Sequence, residues 1–250
     1  MTDAIALLGA SLRADAEALR VTSQNVANVQ TPGYRREVSV LESAFESAAR
    51  KAALQPTGAL QPARASIDLL TPTLRVANDF RTGSLQQTDG PWNVALEGEG
   101  YFVLSTPSGE QVTRRGDFTL DSTGKLVSHD GFAVLGDGGE INPPSGAPSI
   151  DSDGTIRVNG QVVDRLRRVT VDSTALVSSG DSNFAPTASS SLTEGAPNTV
   201  KQGFLETSNV TPTDELLRLM ETMRHFEMAQ HFVRGANDMI NNAITTLGKT

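Results

Sequence analysis

Few side chains in this 250-residue chain have the type and spacing to do chemistry. The histidines are His129, His225 and His231. His225 and His231 are six apart, which on a helix sends them to different sides. They do not form the i, i+4 pair that grips a metal, and all three read as surface or interface residues. Asp151, Asp153 and Gly154 hint at a calcium loop. The third ligand position before the glycine and the closing glutamate are missing, so a turn fits better. Gly98-Glu99-Gly100 is too short to cradle a phosphate, and its carboxylate would repel one. No serine stands in a nucleophile elbow, and no cysteine exists to attack a substrate, hold zinc or form a disulfide. The expectation is a non-enzyme with no catalytic residue, no metal ligand and no cofactor.

The elements are more informative than the inventory. From Thr211 to Leu247, the residues Leu216, Leu219, Met223, Phe226, Val233, Ile240, Ile244 and Leu247 follow an alternation of three and four. That is the a/d seam of a coiled coil, interrupted only by Gln230 and Asn237. Thr211 suits the cap and Pro212 the first helical position, while Asp214 and Glu215 place negative charge where the helix dipole favours it. Gly248 and Lys249 mark the end. Such a helix is roughly 50 Å long at about 1.5 Å per residue, and its stripe calls for a partner helix. Asn237 at an inward place suits register selection.

Residues 3–29 predict a second helix. Ile5, Leu12, Leu19 and Val26 are seven apart, with Leu8 and Val29 on the adjoining line. Asp15 and Thr22 occupy two inward places, which leaves this helix marginal without a neighbour. It must stop before Thr31-Pro32-Gly33, since proline drives the preceding residue out of helical geometry and Pro-Gly turns the chain. Two heptad stripes at opposite ends suggest that the termini meet, either as an intramolecular hairpin or across several molecules. The longer stripe leaves apolar surface over in the hairpin.

Between the helices the pattern changes twice. Residues 36–75 have no clean period: 43–54 is Ala-rich and suits a short helix, and Pro56, Gly58, Pro62 and Pro72 mark an extended connector. From Val76 the period becomes two, with turn signals every eight to twelve residues, the mark of an antiparallel β domain. Expected strands are 92–96, 101–105, 111–115, 118–121, 125–128, 132–135, 155–158, 161–163 and 168–172. Asp130-Gly131 and Asn159-Gly160 are hairpin dipeptides, and Ser108-Gly109 and Thr123-Gly124 serve similar turns. The Ser-, Thr- and Ala-rich residues 173–198 are expected to return the chain irregularly.

Composition narrows the partners. A formal charge of −8 with scattered Lys and Arg argues against nucleic acid and anionic lipid. No run approaches the roughly 18 apolar residues of a membrane span, and the N-terminus lacks the basic-then-apolar pattern of a cleaved signal. The absence of cysteine suits a protein that travels unfolded to an oxidising place.

Three stretches carry a family resemblance. Ser23-Gln24-Asn25-Val26-Ala27-Asn28 followed by Thr31-Pro32-Gly33-Tyr34-Arg35 resembles the signature of the bacterial flagellar rod, hook and hook-associated proteins. The middle stretch combines Gly100-Tyr101-Phe102-Val103, the run from Gln111 to Phe118 and the run from Asp121 to Val127. The third runs from Gln202 to Val210 and leads to Arg224-His225-Phe226-Glu227-Met228. Together they occur in family order and account for most of the chain outside 36–75 and 173–198. A single β domain of this size excludes the larger hook protein as the best match. Phe226-Glu227-Met228, and Asn142-Pro143-Pro144 before Asp153-Gly154-Thr155, look more like the proximal-rod than the distal-rod branch.

The expected fold class is α+β, with N- and C-terminal helices forming a coiled-coil-like layer and a central antiparallel all-β domain. Its boundaries are 1–35 with 205–250 for the helical domain, 36–75 for the connector and 76–204 for the β domain. The resemblance implies a structural subunit of the flagellar basal-body rod, part of a drive shaft that transmits torque to the hook. It also implies a place in the periplasmic rod, export by the flagellar type III apparatus, and contact with other rod subunits and copies of itself. No small-molecule substrate and no membrane insertion are expected. The candidate subunit interface comprises Ile5, Leu8, Leu12, Leu19, Val26, Asn28, Thr31, Pro32, Gly33, Tyr34, Leu216, Leu219, Met223, Phe226, Val233, Asn237, Ile240, Ile244 and Leu247. Within it, Tyr34 is either a local staple or an intersubunit plug. The competing expectations are a distal-rod or hook-type subunit of the same family, a secreted carbohydrate- or surface-binding β module on a coiled-coil stalk, using Trp92 and Tyr101, and a hydrolase.

Overall fold

The structure is a computed structural model that describes residues 2–42, 73–187, 192–195 and 198–247. The short helix expected at 43–54 and most of the 36–75 connector lie outside the described residues. The chain divides into two units: a helical one of residues 1–27, 37–77 and 211–250, and a β one of residues 28–36 and 78–210.

In the helical unit, α1 spans Thr2–Ala27 and α2 spans Pro212–Leu247, both close to the limits that the stop and start signals predict. The first turn of α2 closes when the Glu215 amide donates to the Thr211 carbonyl at 3.1 Å. The two helices lie against one another. Thr22, an inward polar residue of α1, is buried and donates its hydroxyl to the Ala18 carbonyl at 2.9 Å. A polar group at that place is thus satisfied within its own helix. Inside the stretch read as a connector, Glu37–Glu42 pairs with Thr73–Asn78 as a two-stranded ribbon. Val38 and Val40 carry the alternation, in a run too short to stand out beside the prolines.

In the β unit, Tyr101–Thr106 is the central strand. It pairs antiparallel with Gly109–Thr113 on one side and Ala133–Gly136 on the other. Its side chains alternate between two cores, as a strand buried on both faces must do. Phe102 and Leu104 join Val94, Leu96, Phe118, Leu126, Val134, Ile141, Ile156 and Val158, whereas Tyr101 and Val103 join Val112, Val169, Val171 and Phe184. Trp92 packs against the first cluster and Tyr101 is buried in the second. These aromatics therefore build cores rather than an exposed sugar platform.

Residues 173–198 differ from the irregular return expected of them. Leu176–Gly180 and Asn183–Pro186 form a hairpin whose second strand joins the main sheet, with Phe184 opposite Val112. Its turn sets Asp181 and Ser182 at φ +48° and +65°. Left-handed geometry without a glycine at either position is a weak turn signal in sequence. The ends of the β unit are tied together. Val94–Glu97 pairs with Thr199–Gln202, and Leu85–Gln87 pairs with Phe204–Glu206.

Candidate functional site

That last pairing sets Glu206 opposite Leu85, and around Glu206 the three stretches that carried the resemblance converge. Its carboxylate accepts from Arg35 Nη1 at 2.7 Å, from Arg114 Nη1 at 3.3 Å and from the Gly83 amide at 2.9 Å. Its carbonyl accepts from the Gly33 amide at 2.8 Å. Arg114 also donates to the carbonyls of Leu96 at 3.2 Å and Gly98 at 2.5 Å, and lies over the Tyr101 ring, 5.5 Å from its centroid. Burial lowers the proton affinity of the Arg114 guanidinium, with Glu206 opposing, and pushes the Tyr101 phenol up. Arginine stays charged under either influence.

Neighbouring backbone is held as closely. Asn209 Oδ1 accepts from the Arg36 amide at 2.7 Å, and Nδ2 donates to the carbonyls of Asp79 at 2.7 Å and Arg81 at 2.9 Å. Gly33 sits at φ +65°, and a Cβ there would come within 2.6 Å of Arg114 C and Arg115 N. At Gly116 a Cβ would fall on the Val94 carbonyl oxygen. Both glycines are therefore demanded by close approach of backbone. A cleft of about 1500 Å³ borders this cluster, lined in part by Phe80, Leu96, Glu99, Tyr101, Arg114 and Glu206. The Arg114 and Glu206 side chains are engaged with each other. Asp151–Gly154 is a turn, with the Gly154 amide on the Asp151 carbonyl and Asp151 bound to Arg157.

The helical unit has its own polar node. Asn25, wholly buried, donates from Nδ2 to the Glu37 carbonyl at 2.8 Å and accepts from the Glu37 amide at 2.8 Å, as a neighbouring strand would. It also donates to Glu215 Oε2 at 3.1 Å. Glu215 is thus more than a favourable charge at the start of α2, since it bonds the residue of α1 that also holds the strand at Glu37.

Among the described residues, only one apolar line of α2 is covered. Leu219, Thr222, Phe226, Ala229 and Val233 are partly buried, so three residues of the expected seam lie on the covered side. Leu216 and Met223 stay exposed, together with Leu217, Met220, Met228, Phe232 and Met239, from 50% at Met223 to 76% at Phe232. On α1, Leu12, Leu19 and Val26 are half-buried. In the turn that follows it in the chain, Asn28, Thr31 and Pro32 are half-buried, and Gly33 and Tyr34 are buried. The side chains of Ile5, Leu8, Asn237, Ile240, Ile244 and Leu247 lie outside the described residues. Sequence reasoning did not single out Asn25, Arg35, Arg114, Glu206 and Asn209 as a set. The signal available was their presence inside the three motif stretches.

Residues 201–246 match the family model of the flagellar basal body rod FlgEFG protein C-terminal region, and residues 95–163 that of the flagellar hook protein FlgE/F/G D1 domain. The flagellar basal-body rod protein FlgF of Mesorhizobium japonicum is 34% identical over 66% of this chain and 71% of its own. FlgG of Buchnera aphidicola subsp. Acyrthosiphon pisum is 31% identical over 89% and 91%, and FlgF of Salmonella typhimurium 30% over 87% of each. With these matches, and with its motif stretches gathered around one buried carboxylate, the chain belongs to the family of flagellar basal-body rod proteins.

Proposed function

We propose that this protein is a structural subunit of the flagellar basal-body rod, resembling FlgF, which joins other rod subunits by burying the outer face of α2. The observation that carries this is the row of exposed apolar residues on α2, Leu216, Leu217, Met220, Met223, Met228, Phe232 and Met239. Isolated apolar residues on a surface are ordinary, but a row along one helix marks an interaction surface. Covering seven side chains, each half-exposed or more, contributes on the order of 5–10 kcal/mol before the cost of association. In this reading α1 and α2 form the coiled-coil-like layer of the rod, and the β unit is carried by it. The position is proximal, in the periplasmic part of the rod, after export by the flagellar type III apparatus. The function is mechanical rather than catalytic.

The test is Leu217→Asp with Phe232→Asp. The β unit is expected to keep its thermal unfolding transition while the variant fails to enter the rod and cells stop swimming. Normal incorporation and swimming would remove α2 from the mechanism.

A further inference from the structure

Met1 apart, every methionine of the chain lies in α2, at positions 220, 223, 228 and 239. All four are exposed, and no methionine occurs among the described buried core residues, which are Val, Leu, Ile, Ala, Phe and Tyr. Met220 and Met223 follow Leu216 at helical spacings of four and seven, and Met228 and Met239 flank Phe232 at four and seven. Methionine is unbranched and polarisable, so it fits against helices of differing sequence. The same thioether is also the most readily oxidised apolar group available to a protein that has no cysteine.

We propose that Met220, Met223, Met228 and Met239 form an oxidation site that controls assembly, a reading that rests on the outer face of α2 being the surface covered in the rod. The oxidant is a hydroperoxide, represented by hydrogen peroxide. A sulfur lone pair attacks one peroxide oxygen, the O–O bond breaks and an S–O bond forms. The proton on the transferred oxygen passes to the departing hydroxide, leaving a sulfoxide and one water. Sulfur loses two electrons and the peroxide gains them. The product is a polar, chiral acceptor in place of an apolar side chain, and a helix that covers it supplies no donor to satisfy it. Oxidation reaches the free subunit, whereas assembly covers the thioethers. The state of these four residues at the moment of incorporation therefore decides whether a subunit can be added.

The experiment uses the full chain and a purified axial rod subunit from the same bacterium, with association followed by sedimentation. Samples are compared before and after hydrogen peroxide, and peptide mass spectrometry reads one added oxygen at each methionine. Oxidised protein is expected to associate at least tenfold more weakly, and methionine sulfoxide reductases are expected to restore it. The variant carrying Met220→Leu, Met223→Leu, Met228→Leu and Met239→Leu should associate equally with and without peroxide. Sulfoxide at these positions without loss of association overturns the proposal, as does equal loss in the leucine variant. Separately, if untreated Leu217→Asp/Phe232→Asp protein associates normally, the outer face of α2 is not the assembly surface and the underlying reading fails.

Discussion

Arg35 Nη1 donates to Glu206 Oε1 at 2.7 Å across 171 positions of sequence, and each side chain is only 1% exposed. Arg114 Nη1 donates to the other carboxylate oxygen, so one buried glutamate is shared by two buried arginines. An ion pair away from water contributes little net stability compared with an apolar replacement, but removing one partner strands the other charge. Glu206→Gln is therefore expected to cost about 3–5 kcal/mol. Lys201→Ala, which removes an exposed pair with Glu97 at 2.9 Å, should cost less than about 1 kcal/mol. Urea unfolding followed through Trp92 fluorescence measures both. Equal effects would mean that the Glu206 cluster is not a structural keystone.

Asn25 makes a second prediction. Its carboxamide bonds both backbone groups of Glu37 and reaches Glu215, so Asn25→Ala takes a donor or acceptor from each. Buried polar groups that lose a partner cost about 1–3 kcal/mol apiece, partly relieved by water. The expected destabilisation is about 2–4 kcal/mol, confined to the helical unit. Hydrogen exchange of the Glu37 amide should accelerate while the amides of Phe102 and Leu104 keep their protection. Unchanged exchange at Glu37 would show that the strand is held by other contacts.

These two networks also mark what a sequence can disclose. Local chemistry was legible: Pro212 opens α2, Thr31-Pro32 closes α1, and Asn159-Gly160 makes a hairpin with φ of +53° and +80°. Each depends on residues within a few positions of one another. The Glu206 cluster was not legible, because a glutamate and an arginine 171 apart carry no periodicity that links them. The stripe on α2 was half legible. A three-four alternation defines a face, but Glu215 and Thr222, rather than Leu216 and Met223, turn to the covered side, where Glu215 meets Asn25. The hairpin at 176–186 escaped because its turn is built on Asp181 and Ser182.

Acidification should loosen the β unit through its turns. Asp121 accepts from the Thr123 hydroxyl and from the amides of Lys125 and Thr123, Asp153 from Thr155 and Asp172 from Thr174, and these bonds hold their carboxyls below the ordinary aspartate range. Asp79 is lowered by its bonds to Arg81. A carboxyl whose folded pKa is depressed contributes stability that is present above its unfolded value and is lost as pH falls through the folded one. Stability from these groups should therefore be level from pH 7 to about 5 and decline below about 4. Replacing Asp121 and Asp153 by Asn should flatten that decline in urea titrations at stepped pH. A decline of the same slope in the double variant would place the acid sensitivity elsewhere.

Trypsin distinguishes a helix that is complete in the free subunit from one completed by assembly. Arg218, Arg224 and Arg234 are exposed on α2, whereas Arg35, Arg114 and Arg115 are buried in the β unit. Helices draw most of their stability from packing rather than from propensity, and α2 packs along one line while its outer apolar row meets water. Its local opening should therefore be easier than that of strands paired on both sides. In the isolated protein, cleavage is expected at the three α2 arginines well before Arg114 or Arg115, leaving a resistant β fragment. Joining the rod covers the outer row, which raises the cost of opening and should slow those cuts at least tenfold. If the free subunit resists at Arg224 and Arg234 as strongly as at Arg114, α2 is already fully stabilised alone, and burial of its outer face does not drive addition to the rod.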